Sequence, residues 1–407
     1  MGQEKSENLH KYDYLMMIAV AALLIVGLMM IYSATFALGY QLHNQPTYYF
    51  IRQLLWLGLG LLVMIILARI EYHTWRRYSI PIMAVTILLL GLVLLIGEAR
   101  FGGQRWLFRG SIQPSELSKL AIIIYIADWL SSKGDEQIRK INYGLIPFAI
   151  LLGFITGLIV LQQDLGTAIL VGVTALAMFF IAGGSLWQLL ASISLAGVTV
   201  GFLIMRADYR LERIKTFLDP LNSDPIGAGY QIHQILIALG SGGLFGLGLG
   251  ASRQKFGYIP ASHTDGIFAI LGEEIGLIGA LAVIALFAFL AYRGFRVALA
   301  APDSFGTVLA AGITCNLIFQ AIVNIGVITA TLPFTGIPLP FISFGGSSLV
   351  VSMASIGLLL AVSRRTMPDE EGRSSKEERR EVNYFRRRDR GTRLSGPGRR
   401  PKAGSAS

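Results

Sequence analysis

Apolar residues run along this chain in long unbroken blocks, without the alternation of a half-buried strand. Residues 15–37 carry no charge, and the block exceeds the ~20 residues that a helix needs to cross a bilayer. Similar blocks cover 54–68, 80–96, 144–161, 165–182 and 186–205, and weaker ones 117–129, 266–291, 305–332 and 347–362. Lipid offers the backbone no hydrogen-bond partner, so a spanning segment is a helix or part of a closed barrel. Blocks this long and unalternated exclude the barrel. The pattern predicts an all-α polytopic membrane protein, a bundle of about ten transmembrane helices over 15–362. A short N-terminus (1–14) precedes it, and one long exterior loop (206–265) separates spans seven and eight. The first block is too long for the core of a cleaved signal, and Tyr32 and Phe36 occupy the place of a small-residue cleavage site.

One segment tests the count. Residues 235–250 are apolar enough to span, which would put the two termini on opposite sides. They hold six glycines between Gly240 and Gly250, and each weakens a helix by about 1 kcal/mol relative to alanine. A re-entrant or interfacial segment is expected instead. The chain has no GxxxxGK[ST], nor a GxGxxG after a strand, so the glycines are not a phosphate loop.

Composition sharpens this picture. Only 15% of the 407 residues are charged and 53% are apolar, where a soluble domain carries about a quarter charged. Mean hydropathy is +0.59. Arg69, Arg76, Arg77, Lys133, Arg139, Lys140, Arg293 and Arg296 sit in three short loops. With the basic tail they mark the cytoplasmic face, which puts both termini inside. Arg52, Arg100, Arg105 and Arg109 then lie outside, against that rule, and so point to a task there. The net charge of +10 is largely a tail effect: from Arg364 onward there are 14 Lys and Arg against 7 Asp and Glu. The segment 363–407 is expected to be disordered and to meet anionic lipid of the inner leaflet, not nucleic acid. A single cysteine, Cys315, excludes a disulfide framework.

An ionisable group at membrane depth is costly, and each one is a candidate for function. Glu116 and Lys119 share one helical face, as a structural ion pair or as part of a site. Asp164 follows Gln162 and Gln163 at the junction of spans five and six, as a helix N-cap or a cavity residue. Glu273 and Glu274 lie two turns into the eighth span, where one is expected to pair with a neighbouring helix. Asn316, Gln320 and Asn324 form a stripe that suits interhelical hydrogen bonds or a substrate groove. Pro333, Pro338, Pro340, Gly345 and Gly346 interrupt the backbone, which at that depth is tolerated only against protein or water. Together these features predict a polar cavity that opens outward. His263 and Asp265 stand where the long loop returns to the bilayer, and Thr264 or Asp265 can cap the eighth helix. Two residues do not make a metal site, although a divalent cation (Mg2+ or Mn2+) carried by a substrate phosphate is compatible with them. Soluble hydrolase signatures, GxSxG and HExxH, are absent.

Four stretches resemble one family in order. Residues 103–119, GQRWLFRGSIQPSELSK, resemble the RW…QPSE-x-x-K stretch of the SEDS proteins (shape, elongation, division and sporulation). Residues 163–168 read QDLGTA beside the family's PDLGTA. Residues 217–265 hold FLDP, GYQI, ALGSGGLFGLGLG, SRQK and HTD. Residues 333–348, PFTGIPLPFISFGGSS, are close to the PLPF-S-x-GGSS signature. The resemblance covers about 12–364. The loop at 293–306 and the NIGV-x-T segment at 324–329 are more similar to the division branch of the family than to the elongation branch.

The resemblance implies a peptidoglycan glycosyltransferase that polymerises lipid II into glycan strands during cell division and releases undecaprenyl pyrophosphate. It implies a place in the bacterial plasma membrane at the division septum. The implied partners are a class B penicillin-binding transpeptidase and other divisome membrane proteins. Asp265 matches the family's essential exterior aspartate, and Glu116, Lys119 and Asp164 match its cavity residues. Trp106, Gln113, His263, Ser343, Ser347 and Ser348 also fall on family positions. In that chemistry Asp265 would take the acceptor's proton. Arg105, Arg109 or Lys119 would stabilise the pyrophosphate as it leaves. Two departures stand out: Ala261 where the family often has glutamate, and Gly266 after HTD in place of a bulky residue, which is expected to loosen the aspartate. A lipid II flippase and a non-catalytic division scaffold are the competing functions. A polar cavity in a bundle suits transport, but no inverted repeat supports alternating access.

Overall fold

The computed structural model describes residues 12–100, 103–106, 113–220, 224 and 229–365. Residues 366–407 of the basic tail, and Arg109, lie outside the described residues. Each long apolar block becomes one helix. The order is α1 (Tyr14–His43), α2 (Tyr48–Arg69), a short α3 (Tyr72–Arg77) and α4 (Ser79–Ile96). A two-stranded antiparallel hairpin, β1 (Glu98–Arg100) and β2 (Gly103–Trp106), leads to α5 (Pro114–Ser131). A short α6 (Asp135–Arg139) and a π-helical turn (Ile141–Leu145) enter α7 (Ile146–Leu161). Then come α8 (Leu165–Ile181), α9 (Leu186–Met205), α10 (Asp208–Leu218), α11 (Tyr230–Gly242), α12 (Ile267–Leu299), α13 (Ser304–Ile328) and α14 (Gly346–Ser363).

Among the described residues eight helical segments are long and apolar enough to cross a membrane. The other two predicted spans are α8, apolar but of 17 residues, and α5, whose charges include a buried pair. The ten predicted spans therefore correspond to ten helices, and the chain is an all-α polytopic membrane protein. The long loop between spans seven and eight contains two helices of its own, α10 and α11.

Helices α13 and α14 form the centre, with 72% and 83% of their apolar windows buried, whereas α9 has 6%. Small residues permit the close crossings that membrane helices favour. Gly357 of α14 lies where a Cβ would come within 2.6 Å of the Met64 carbonyl of α2. On α9 the buried residue is Gln188, which shares a capping box with Ser185 and donates to the carbonyls of Ile138 and Arg139. Most of the rest of α9 presents its side chains outward, as a lipid-facing helix would, apart from Leu189 on the core and Ile204 at its end.

The glycine-rich segment does not span. Helix α11 stops at Gly242, and the chain then folds back on a break in α12 at Gly276, whose φ of 68° is left-handed. Leu247 and Gly248 donate to the carbonyls of Glu273 and Glu274, and Leu277 and Ile278 donate to those of Gly243 and Leu244. The broken helix is thus satisfied by the segment beside it, as buried backbone requires. A Cβ on Gly246 would lie 2.2 Å from the Glu274 carbonyl, and one on Gly276 2.3 Å from the Gly246 nitrogen. Gly242, Gly246 and Gly276 are there for backbone-to-backbone approach. The two acids at the break anchor the following loop. Glu273 accepts from Ser252 and from the Arg253 backbone at 3.0 Å. Glu274 pairs with Lys255 at 3.1 Å and accepts from Ser33 of α1, the neighbouring-helix contact expected of one of them.

Both ends of the described chain meet at one end of the bundle. The Arg364 guanidinium lies 5.0 Å from the Tyr12 ring centroid, Arg293 pairs with Asp13 at 2.8 Å, and Arg365 pairs with Glu71 at 2.8 Å. An even number of crossings requires this arrangement.

Candidate active site

A cavity of about 350 Å³ opens among β2, the start of α8, the end of α9, α10 and the broken segment after α13. Arg105, Asp164, Tyr209, Arg210, Arg213 and Thr335 supply its polar wall, and Ile169, Ile204, Ile214 and Phe334 its apolar one. The hairpin presents Arg105. Its Nε donates to the Gln162 carbonyl at 3.3 Å, its Nη2 to the Gln163 carbonyl, and its Nη1 stands 3.8 Å from Asp164.

Asp164 is an N-cap, because its Oδ1 accepts from the Thr167 backbone at 3.1 Å. Its Oδ2 also accepts from Gln113 and Ser115, each at 3.4 Å. The Gln113 backbone in turn donates to Ser347 at the start of α14. Four predicted residues, Arg105, Gln113, Asp164 and Ser347, therefore form one connected cluster.

Asp265 stands just behind the cavity wall. A Cβ on Gly336, whose φ is +74°, would lie 3.3 Å from its Oδ2, so the turn beyond Thr335 separates carboxylate from cavity by one small residue. Gly166 lets the same turn approach α8, since a Cβ there would come within 2.9 Å of the Thr335 carbonyl. The N-cap of α12 is Gly266 and makes no side-chain capping bond, so Asp265 is not spent as a cap. Burial pushes its carboxyl up to about 6, against the pull of Arg105 and Arg213. Desolvation outweighs the two guanidinium charges and the Thr264 hydrogen bond, which favour the ionised form.

The backbone around Asp265 is held firmly despite Gly266. Three successive carbonyls accept: His263 from the Phe344 N–H at 2.9 Å, Thr264 from the Ser343 hydroxyl at 2.7 Å, and Asp265 from Asn324 Nδ2 at 2.9 Å. Gln320 and Asn324 thus use the polar stripe to tie down the broken segment, through Pro338 and Ile337. Gln320 also accepts from Lys119 of α5, an interhelical bond, whereas Asn324 bonds to carbonyls outside the helices.

Glu116 and Lys119 lie deeper and away from the cavity. They pair at 2.8 Å, and Lys119 also donates to Gln320 at 3.0 Å. Both are almost fully buried. Trp106 is partly buried on β2, and Ser348 is partly exposed in the first turn of α14. His263 contacts Tyr49 and Phe344 with ring centroids at 5.4 and 5.6 Å. Burial pulls its pKa down to about 4, so it is neutral at pH 7. Among the described residues no three His, Cys, Asp or Glu side chains gather as a metal cage would require.

Sequence reasoning missed Tyr209, Arg210 and Arg213, all on α10. Arg213 reaches over the Tyr209 and Phe334 rings at 5.8 and 5.5 Å, and burial lowers its pKa. The signal was present in 208–218, DYRLERIKTFL, where charges interleave with apolar residues at helical spacing.

Residues 14–367 match the profile of the FtsW/RodA/SpoVE family, described as cell cycle proteins. The chain belongs to this family. Among its relatives, stage V sporulation protein E of Bacillus subtilis is 44% identical, over 86% of this chain and 97% of that protein. A probable peptidoglycan glycosyltransferase FtsW of Geobacter metallireducens is 41% identical, over 88% of this chain and 96% of its own length. Two solved structures share the fold. One is a chain from a peptidoglycan synthase complex that coordinates polymerization and crosslinking (TM-score 0.73, 30% identity, 88% of this chain and 99% of that one). The other is the rod shape determining protein RodA of Thermus thermophilus (TM-score 0.64, 29% identity, 88% and 98%). The FtsW/RodA/SpoVE family accounts for the multi-pass membrane architecture.

Proposed function

We propose that this chain is a peptidoglycan glycosyltransferase that polymerises lipid II into glycan strands for septal wall synthesis. The observation that carries the reading is the carboxylate of Asp265, raised in pKa and one glycine away from a cavity walled by three arginines. Asp265 takes the proton of the acceptor sugar hydroxyl as its oxygen attacks the donor's anomeric carbon. The anomeric carbon–oxygen bond breaks, and the charge that develops on undecaprenyl pyrophosphate is met by Arg105, Arg210 and Arg213. Asp164 keeps Arg105 aimed, while Gln113, Ser115 and Ser347 hold Asp164. The isoleucine wall beside α9 suits a polyprenyl chain entering from lipid. Arg109, four residues after Arg105 in the sequence, is a further candidate cation.

The same reading puts both termini in the cytoplasm, at the end where Asp13, Glu71, Arg293 and Arg365 meet. It makes a class B penicillin-binding transpeptidase the partner, docked on the exposed apolar residues Leu277, Ile278 and Leu281 of α12. Purified protein supplied with that partner and fluorescent lipid II tests the function. Glycan polymer supports it; transbilayer movement without polymer, or neither, overturns it.

A further inference from the structure

The turn that joins α1 to α2 has no part in the mechanism above, yet it is tightly built. Asn44 caps α1 in the left-handed region at φ 52°, and the Gln45 N–H donates back to the Gly39 carbonyl at 3.2 Å. His43 stacks on Tyr48, ring centroids 3.7 Å apart and planes 21° from parallel. Tyr48 meets Tyr49 edge-on at 5.3 Å, and Tyr49 meets His263 at 5.4 Å. The file of rings thus runs from an exposed turn to a residue two positions from Asp265. Gln41, Asn44 and Gln45 are exposed amides close to His43 in the sequence, and Arg52 donates to the Tyr48 hydroxyl at 3.2 Å.

Tyrosines at a membrane surface often anchor in the headgroup layer. Rings that serve only that purpose need not face one another, nor share their turn with exposed amides. Aromatic faces with amide side chains beside them are the chemistry that binds saccharides. The apolar face of a pyranose lies on a ring, and its hydroxyl and acetamido groups pair with amide donors and acceptors. We propose that the α1–α2 turn and the file His43–Tyr48–Tyr49–His263 form a saccharide subsite. It holds an N-acetylhexosamine chain beside Asp265, so that the strand stays attached between additions. This rests on the glycosyltransferase reading of the chain.

Asp265→Asn protein in lipid nanodiscs, titrated with a soluble β-1,4-linked N-acetylglucosamine hexamer, tests the subsite without turnover. Adding His43→Ala with Tyr48→Ala is expected to weaken hexamer binding at least ~10-fold through loss of two ring contacts. His43→Phe with Tyr48→Phe keeps the stacking and is expected to retain binding. With Asp265 intact, the double-alanine protein should release shorter polymer. No hexamer binding by the parent, equal binding by the double-alanine protein, or equal loss in the phenylalanine pair overturns the proposal. Ring-dependent binding in a protein that makes no polymer from lipid II would sink the polymerase reading and leave the subsite standing. Full-length polymer from the double-alanine protein would do the reverse.

Discussion

Asn324 holds Asp265 by its backbone and not by its carboxylate: Nδ2 donates 2.9 Å to the aspartate's carbonyl oxygen and 2.8 Å to that of Ile337. One amide on α13 therefore fixes both the aspartate and the turn that separates it from the cavity, while neither carboxylate oxygen is committed to it. Asn324→Leu would strand two carbonyls, at about 1–3 kcal/mol each if they stay buried. The expected result is a lower Tm and a loss of polymerisation larger than the unfolded fraction explains. Unchanged activity per folded molecule would remove the positioning role.

Gly336 is where turn and aspartate come closest. Gly336→Ala adds a methyl 3.3 Å from the Asp265 Oδ2 at a φ that costs an L-residue about 1–2 kcal/mol. Polymerisation should fall at least several-fold while lipid II binding, read separately, changes less. Equal losses in both would place the effect on the cavity wall.

The raised carboxyl of Asp265 sets a pH dependence. A base works ionised, so activity should rise with pH through a midpoint near 6, not near the ordinary aspartate value, and should be lost below it. Arg213 pulls that pKa down, so Arg213→Gln should move the midpoint to higher pH. A midpoint unmoved by that substitution would separate Arg213 from Asp265.

Glu116 and Lys119 make a buried pair. Lys119→Met should leave Glu116 buried without its cation and destabilise by about 3–5 kcal/mol, seen as a lower Tm in detergent. Adding Glu116→Gln should recover most of that loss. If the double substitution is no more stable than the single one, the pair is not what holds α5.

The ten helices were legible because the hydrocarbon core imposes an unmistakable apolar length. Their ends were less so. α1 runs to His43 and α12 to Leu299, because polar helix outside the bilayer carries no apolar signature. The glycine run was legible as a non-span through propensity, but its partner, the break at Gly276, depends on a contact between segments far apart in sequence. Asp164, Arg105 and Gln113 are legible through their motif, whereas the charges of α10 hide a short amphipathic helix within the predicted loop. That cost Arg210 and Arg213. Whether Asp265 caps α12 was open until the backbone showed Gly266 in that position.

The most direct measurement is lipid II polymerisation by Asp265→Asn, with its folding and partner binding verified beside the parent protein. The substitution keeps size and removes the negative charge. The account predicts normal expression, unchanged Tm within a degree or two, and at least ~100-fold less polymer, the low end for loss of a general base. Near-normal polymer would contradict it and move the chemistry to Asp164, the carboxylate that lines the cavity.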